Sequence, residues 1–280
     1  MKVMFVGTTS GAGKSVISAM ICRHLWRQGL KVAPFKTLNL SSNSHIAADG
    51  GEMGVAQAFQ AWGCGLEPEV RMNPVFIKPK GKRPLQVILQ GKPWLDANLG
   101  EYKCREHMMS RAMACLHSLE EDYDVLVIEG SGSPAELNLR RQDIANMRTA
   151  REAQSPVIIV GDIERGGVFA GILGTFMLLE EKDRHLVKGF IINRFRGDGS
   201  ILASGIDCLE IETGLPCLGV MPFMDLHLPE EDSEYLKEGA GTNESDDARE
   251  EWMRNLDLMT DEAEKVLDIS LLMSIMQEGV

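Results

Sequence analysis

Residues 7–15 read Gly7-Thr8-Thr9-Ser10-Gly11-Ala12-Gly13-Lys14-Ser15, and they stand between an apolar run, Val3–Val6, and a helix-like run, Val16–Gln28. This placement between a strand and a helix is typical of a phosphate-binding loop. Small residues let backbone N–H groups converge on an anion, the helix directs its positive end there, and Lys14 adds a full charge. Ser15 follows at the position whose hydroxyl binds a Mg²⁺ between two phosphates. The stretch therefore predicts a site for a nucleotide and Mg²⁺.

This loop departs from the usual spacing at its start. Counting back from Lys14, Thr8 stands where the first glycine is expected, and Gly7 comes one residue early. The alternative interpretation is a glycine-rich turn with an incidental Lys-Ser pair. The flanking strand and helix favour the phosphate-binding loop.

The bulk properties limit the class of protein. A chain of 280 residues can form one large α/β domain or two small ones and can bury a core without disulfides. Its six cysteines include no Cys-x-x-Cys pair, so they indicate neither a zinc knuckle nor a disulfide framework. The sequence has no leader-like start and no apolar run near the ~18 residues of a membrane span. We expect a soluble, cytoplasmic protein with reduced thiols.

The acidic charge is concentrated at the end of the chain. The net charge is −12, and residues 229–280 hold 16 of the 41 acidic and four of the 29 basic side chains. Residues 1–228 are therefore electrically balanced. A nucleic-acid-binding domain usually carries a basic excess, so we expect no nucleic-acid partner.

Short apolar runs alternate with helical patterns, and each run is followed by a polar or loop-forming residue. The five pairs are Lys31–Phe35 with Lys36, Asp124–Ile128 with Glu129, Val157–Val160 with Asp162, Phe190–Ile192 with Asn193, and Leu218–Met221 with Pro222. Continuous apolar strands are typical of a buried parallel sheet. The pattern predicts an α/β fold with a mostly parallel sheet, covered by helices on both faces, whose ligands bind at the carboxyl ends of the strands.

The remaining segments complete this outline. Helices are predicted at Glu52–Trp62, where Gln57 and Gln60 are polar among alanines, and at Glu101–Glu120. A hairpin is predicted from strands at Val75–Ile77 and Gln86–Leu89. Its basic tip, residues 80–84, fits either a solvated turn or a polyanion contact. Arg165, in the loop 162–167, could neutralise a carboxylate or phosphate or form a surface salt bridge.

The chain divides into three predicted segments: a phosphate-binding domain at 1–228, an acidic linker at 229–250 and a helical tail at 251–280. The linker is acidic and poor in apolar residues, as solvated segments are. Tail residues at helical spacing form one apolar face, namely Trp252, Leu256, Met259, Ala263 and Val266. That face must be buried against the domain or a partner.

Seven further motifs accompany the loop at residues 7–15. They are Ala33-Pro34-Phe35-Lys36, Ala48-Asp49-Gly50-Gly51-Glu52-Met53-Gly54, Met72-Asn73-Pro74-Val75, Glu129-Gly130-Ser131-Gly132-Ser133-Pro134-Ala135-Glu136, Asp143-Ile144-Ala145-Asn146-Met147, Asp162-Ile163-Glu164-Arg165-Gly166-Gly167-Val168-Phe169 and Ile192-Asn193-Arg194-Phe195-Arg196-Gly197-Asp198. Over residues 1–230 the chain resembles the synthetase domain of cobyric acid synthases, which share their fold with dethiobiotin synthetase and cobyrinic acid a,c-diamide synthase.

The resemblance implies roles for individual residues. The cofactors would be ATP and Mg²⁺, with Ser15, Asp49 and Glu129 holding the metal. Lys14, Lys36, Asp49 and Glu129 would be the catalytic set. Nucleotide contacts would come from Gly11, Ala12, Gly13, Lys14, Ser15, Val16, Asn193, Arg194 and Pro222. Substrate contacts would come from Asn43, Asp162, Arg165 and Gly166.

The resemblance also has departures. The family carries a glutaminase domain after the synthetase domain, and the roughly fifty residues after Pro229 are too few for one. The tail resembles the far C-terminal helical segment of the full-length family. Residues 80–83 and Lys36-Thr37-Leu38-Asn39 also differ from the family's usual sequence, which affects the substrate prediction more than the ATP chemistry.

These observations lead to one expected reaction and two rivals. ATP would phosphorylate a carboxylate of a corrinoid, and ammonia from solution or from a separate glutaminase subunit would then form the amide. A dethiobiotin synthetase-like reaction on a carbamate is the second hypothesis. The third is a nucleotide-dependent binding or regulatory protein without amidase activity. A homodimer is expected because relatives of this fold commonly form one.

Overall fold

The computed structural model describes residues 1–79, 85–97, 104–229 and 246–280. The basic tip predicted at residues 80–84, the start of the helix predicted at Glu101 and most of the predicted linker lie outside the described residues. The strands are β1 (Lys2–Gly7), β2 (Val32–Phe35), β3 (Leu38–Leu40), β4 (Ser44–Ile46), β5 (Glu52–Gly54), β6 (Val75–Pro79), β7 (Leu85–Leu89), β8 (Lys92–Ala97), β9 (Val125–Glu129), β10 (Val157–Asp162), β11 (Val187–Phe195) and β12 (Cys217–Pro222). The helices are α1 (Lys14–Arg27), α2 (Val55–Gly63), α3 (Arg105–Asp122), α4 (Met147–Ala153), α5 (Val168–Leu178), α6 (Glu181–Arg184), α7 (Ala203–Thr213), α8 (Asp246–Val266) and α9 (Ile269–Glu278).

The main sheet contains six parallel strands in the order β12-β11-β10-β1-β9-β2. Strand β1 lies between β9 and β10, and its register places Phe5 beside Glu129. Because all six strands run in the same direction, their carboxyl ends meet at one edge. The predicted parallel sheet is confirmed, and this edge carries the residues expected to bind ligands.

Side chains of β1 alternate between two cores, one on each face of the sheet. Met4 and Val6 pack in the core that α3, α4, α5 and α7 cover. Val3 and Phe5 pack in the core that α1, α2, α8 and α9 cover. The expectation of helices on both faces is therefore confirmed.

A second sheet lies beside the main one, in the order β3-β6-β7-β8. The predicted hairpin forms its centre as β6 and β7. The helix predicted from Glu52 begins later, because residues 52–54 form β5 and pair with β4. Gly54 has extended backbone angles, and its N–H donates to Asn73 Oδ1 at 3.0 Å. Helix α2 therefore starts at Val55.

The C-terminal helices pack against the domain. Helix α8 begins at Asp246, inside the segment predicted as a linker. The Trp252 ring stacks on Trp62 of α2, with ring centres 6.4 Å apart, and Arg23 Nε of α1 donates to Asp257 Oδ1 at 2.8 Å. The tail's apolar face is thus buried against the domain. None of the described helices combines the length and apolar character needed to cross a membrane.

Candidate active site

The phosphate-binding loop connects β1 to α1 and ends in a turn at Gly13. Gly13 precedes α1 with φ 92°, a conformation that side chains with a Cβ rarely adopt. A Cβ at Gly13 would also collide with the Asn193 side-chain amide. Lys14 is buried, and its Nζ donates to Thr9 O at 3.2 Å across the loop. Position 13 therefore requires glycine, because its φ is positive and because a Cβ there would collide with Asn193.

Glu129 lies at the carboxyl end of β9 and is fully buried. Its Oε1 accepts from Ser15 Oγ at 2.8 Å and from Lys36 Nζ at 2.7 Å. The Lys36 side chain is only 3% exposed, so this is a buried ion pair. The ends of β9 and β2 and the start of α1 thus bring three predicted residues together.

Two glutamines of α2 bind the other oxygen of Glu129. Gln60 Nε2 donates to Glu129 Oε2 at 2.6 Å, and Gln57 Nε2 donates to the same atom at 3.4 Å. Both glutamines are fully buried. Neither glutamine had a predicted role, although two polar residues three positions apart share one face of a helix, which is a signal of buried hydrogen bonding.

The end of β11 holds the phosphate-binding loop from the other side. Asn193 Nδ2 donates to Ala12 O at 3.0 Å, and Arg194 donates to Gly11 O at 3.0 Å. Arg194 also binds Asp162 Oδ2 at 2.9 Å, at the end of neighbouring β10. Arg194 has φ 64°, which is uncommon for a residue with a Cβ. Two successive residues of β11 therefore bind two successive carbonyls of the loop.

A cavity of about 340 Å³ opens beside the loop. Its lining residues come from the loop, from β3 and from the segment after β9; they are Ser10, Gly11, Lys14, Lys36, Leu38, Asn39, Leu40, Ser131, Gly132, Ser133, Glu136, Leu139, Gln142, Asp143, Ile144, Ala145 and Asn146. Both lysines that line this cavity also belong to the site around the loop, so the cavity is continuous with it. The cavity is large enough for a small ligand group.

Asp143 lies in the wall of the cavity. Burial raises the pKa of its carboxyl group, and hydrogen bonds from the Ala145 and Asn146 N–H groups oppose that shift. The Asn146 side chain joins Asp143 to Ser131, because its Nδ2 donates to Asp143 Oδ2 at 3.0 Å and to Ser131 O at 2.8 Å. These bonds fix the segment after β9 against the start of α4. The motif at residues 143–147 carried part of the family resemblance, but none of its residues was predicted to belong to the site.

Residues 3–234 match the family model described as the CobQ/CobB/MinD/ParA nucleotide binding domain. The chain belongs to this family. The family match and the site agree, since the matched residues include the phosphate-binding loop and the strand ends around it.

Curated relatives are identical to this chain at about half of the aligned positions. The chain is 53% identical over 232 residues to a probable cobyric acid synthase of Methanocella arvoryzae, covering 82% of this chain and 48% of the relative. It is 50% identical over 238 residues to the cobyric acid synthase of Citrobacter koseri, covering 85% and 47%. The chain thus spans about half the length of the curated relatives it matches. Among solved structures, the signal recognition particle receptor FtsY from Elizabethkingia anophelis aligns with 91% of this chain and 64% of its own, with a TM-score of 0.45 and 15% identity.

Two other predicted site residues of this CobQ/CobB/MinD/ParA domain, Asp49 and Asn43, make different contacts from those around Glu129. Asp49 is exposed in the turn between β4 and β5, where its Oδ1 accepts from Gly51 N at 3.0 Å. Among the contacts of the described residues, none joins Asp49 to Ser15 or Glu129. Asn43 is buried beside Ser41, whose Oγ accepts from its N–H at 3.0 Å. The structure does not bring Asp49 or Asn43 together with the predicted metal ligands.

Five further predicted residues also lie outside the described lining of the cavity, namely Asp162, Arg165, Gly166, Pro222 and Val16. Asp162 binds Arg194, whereas Arg165 and Gly166 lie in an exposed turn before α5. Pro222 ends β12 and pairs with Phe195 of β11. Val16 lies in the first turn of α1.

Ser15 and Glu129 offer a fit for Mg²⁺. Their hydroxyl and carboxylate oxygens lie 2.8 Å apart, and Mg²⁺ prefers oxygen ligands, few of them from protein. In the described ranges, no group of three His, Cys, Asp or Glu side chains forms a closed metal site. One or two protein oxygens completed by substrate phosphates and water are the ligands that Mg²⁺ usually takes at a nucleotide site.

Proposed function

We propose that this chain uses ATP to activate a carboxylate of a corrinoid for amide formation, as in cobyric acid synthesis. The observation that carries the proposal is the position of Lys14 and Lys36. Both line the cavity, while Lys14 belongs to the phosphate-binding loop and Lys36 pairs with Glu129. The similarity to cobyric acid synthases, at 50–53% identity, supports the choice of substrate class.

The chemistry divides one difficult substitution into two. A carboxylate is a poor electrophile, so its oxygen first attacks the γ-phosphorus of ATP, and ADP leaves as the bond to the bridging oxygen breaks. Ammonia then attacks the acyl carbon, phosphate departs with the former carboxylate oxygen, and the nitrogen loses a proton to solvent. No protein nucleophile takes part. The chain has to position the reactants and neutralise their charge.

Two lysines perform that neutralisation. Lys14 would bind the terminal phosphates, and Lys36 would lie between the γ-phosphate and the entering carboxylate. Gly11–Gly13 would bind phosphate oxygens through backbone N–H groups. The cavity, at about 340 Å³, has room for the side arm that carries the reacting carboxylate.

Ser15 and Glu129 would hold Mg²⁺, which supplies positive charge to the phosphates when bound. Asp49 stays a prediction as a third ligand, because it lies on an exposed turn. Asn193 and Pro222, at the ends of neighbouring strands, are proposed to contact the adenine base of ATP. Asn193 would use its carbonyl oxygen, since its amide nitrogen binds Ala12 O.

The test mixes the protein with MgATP and cobyrinic acid a,c-diamide and follows ADP release and product mass. Ammonium, glutamine and no nitrogen source are compared, with Lys14→Ala as the control for contaminating ATPase. We expect amide product with ammonium and none from Lys14→Ala. Glutamine should support the reaction only when a glutaminase is present. ATP binding without substrate-stimulated ADP release would contradict the proposal and favour the nucleotide-dependent binding protein.

A further inference from the structure

The two oxygens of the Glu129 carboxylate have different surroundings. Oε1 faces the phosphate-binding loop and accepts from Ser15 and Lys36. Oε2 faces α2 and accepts from Gln60 at 2.6 Å and Gln57 at 3.4 Å. The carboxylate is therefore held by one oxygen and directed towards the loop by the other.

The orientation of the Gln60 amide follows from its neighbours. Its Nε2 donates to Glu129 Oε2 and also to Ser15 O at 3.2 Å. Both of those atoms can only accept, so the NH₂ group must face them. Gln60 Oε1 is then buried, and none of the residues that the structure describes donates a hydrogen bond to it. An apolar side chain would avoid that unpaired oxygen, so the folded core gains nothing from a glutamine here apart from its NH₂ group.

Gln57 extends the same arrangement to the cavity. Its Oε1 accepts from Asn39 Nδ2 at 3.2 Å, and Asn39 lines the cavity wall. A chain of side-chain amides thus runs from the cavity to Glu129 Oε2. This chain fixes the Gln57 amide with its NH₂ group towards Glu129.

We propose that Gln60, assisted by Gln57, is a positioning residue that holds Glu129 so that its Oε1 faces Ser15. Partners of this kind orient metal-binding carboxylates, and their loss typically weakens metal affinity about 10–100-fold. The inference rests on the Mg²⁺–nucleotide site of the proposed function and does not depend on amide formation. It predicts that Gln60 governs nucleotide binding only when Mg²⁺ is present.

The test uses Gln60→Met, which conserves volume and removes the NH₂ group. Ser18→Ala is the matched control, because Ser18 is buried on α1 and its Oγ finds no hydrogen-bond partner within the described part of the chain. Affinity for a fluorescent ATP analogue is measured with and without Mg²⁺, together with the melting temperature. We expect Gln60→Met to lose about 10–100-fold in affinity with Mg²⁺ and to match wild type without it. Ser18→Ala should match wild type in both conditions.

A second variant keeps the inference testable if Gln60→Met fails to fold. Gln57→Met removes the NH₂ group 3.4 Å from Oε2 and leaves the 2.6 Å bond from Gln60, so its Mg²⁺-dependent loss should be smaller than that of Gln60→Met. Equal affinities of wild type and both variants with Mg²⁺ would overturn the inference, as would equal losses with and without Mg²⁺. If the affinity of the wild-type protein for the ATP analogue is the same with and without Mg²⁺, the metal site is refuted, and the proposed function with it.

Discussion

The buried ion pair between Lys36 and Glu129 makes a sharp prediction about stability. Their side chains are 3% and 0% exposed, with Nζ and Oε1 2.7 Å apart. Removing the Lys36 ammonium leaves the buried Glu129 carboxylate without the opposite charge 2.7 Å away, which typically costs ~3–5 kcal/mol. We expect Lys36→Met to lower the free energy of unfolding by about that amount, and Glu129→Gln to lower it as well. The double variant should lose less than the sum of the two single variants, because both remove the same interaction.

The assay is urea unfolding followed by tryptophan fluorescence, in the absence of nucleotide. The matched control is the pair Lys2–Glu120, whose atoms lie 2.6 Å apart but whose side chains are 24% and 29% exposed. The same double-variant cycle there should give a coupling below about 1 kcal/mol. If the effects at Lys36 and Glu129 add to within ~0.5 kcal/mol, the two side chains do not interact as described and the reasoning is refuted.

Three further predictions concern the loop, the tail and the thiols. Gly13→Ala should abolish ATP binding without unfolding the protein, because its φ of 92° and the neighbouring β11 amide exclude a Cβ; circular dichroism and nucleotide titration check this. Trp252→Ala should cost ~3–5 kcal/mol in urea unfolding, since it removes a ring that is 7% exposed and stacked on α2. Burial raises the pKa of the Cys217 thiol to about 11, so iodoacetamide near neutral pH should modify exposed Cys208 well before Cys217.

Each of these has a result that would contradict it. Normal ATP affinity in Gly13→Ala would mean that the loop adopts another conformation. Leu258→Ala is the control for the tail, because Leu258 is 53% exposed on the same helix; equal losses in both variants would deny that α8 packs as described. Equal labelling rates of the two cysteines would show that Cys217 is more accessible than its surroundings indicate.

The main sheet could be predicted because each of its strands leaves a local signal. Runs such as Val157–Val160 are apolar throughout, as strands buried on both faces must be, and the polar residues after them mark the ligand edge. Lys36 and Glu129 were placed in this way, and the structure brings both Lys36 and Ser15 of the phosphate-binding loop into contact with Glu129.

Other features depend on partners distant in the sequence. Strand β3 has three residues and β8 contains a proline, so neither shows a clear period of two. The apolar face of the tail could be predicted from the sequence. The helix that covers this face could not, because its contacts, such as that between Arg23 and Asp257, join residues 234 positions apart. Gln57 and Gln60 were recognised as polar, yet only the packing of α2 against β9 assigns their NH₂ groups to Glu129.

We propose that ATP phosphorylates a substrate carboxylate at the cavity beside Lys14 and Lys36. The most direct measurement uses cobyrinic acid a,c-diamide with isotopically labelled carboxylate oxygens, incubated with MgATP and ammonium. Inorganic phosphate should gain one labelled oxygen for each amide formed, because phosphate departs with the former carboxylate oxygen. Amide formation with unlabelled phosphate would contradict it.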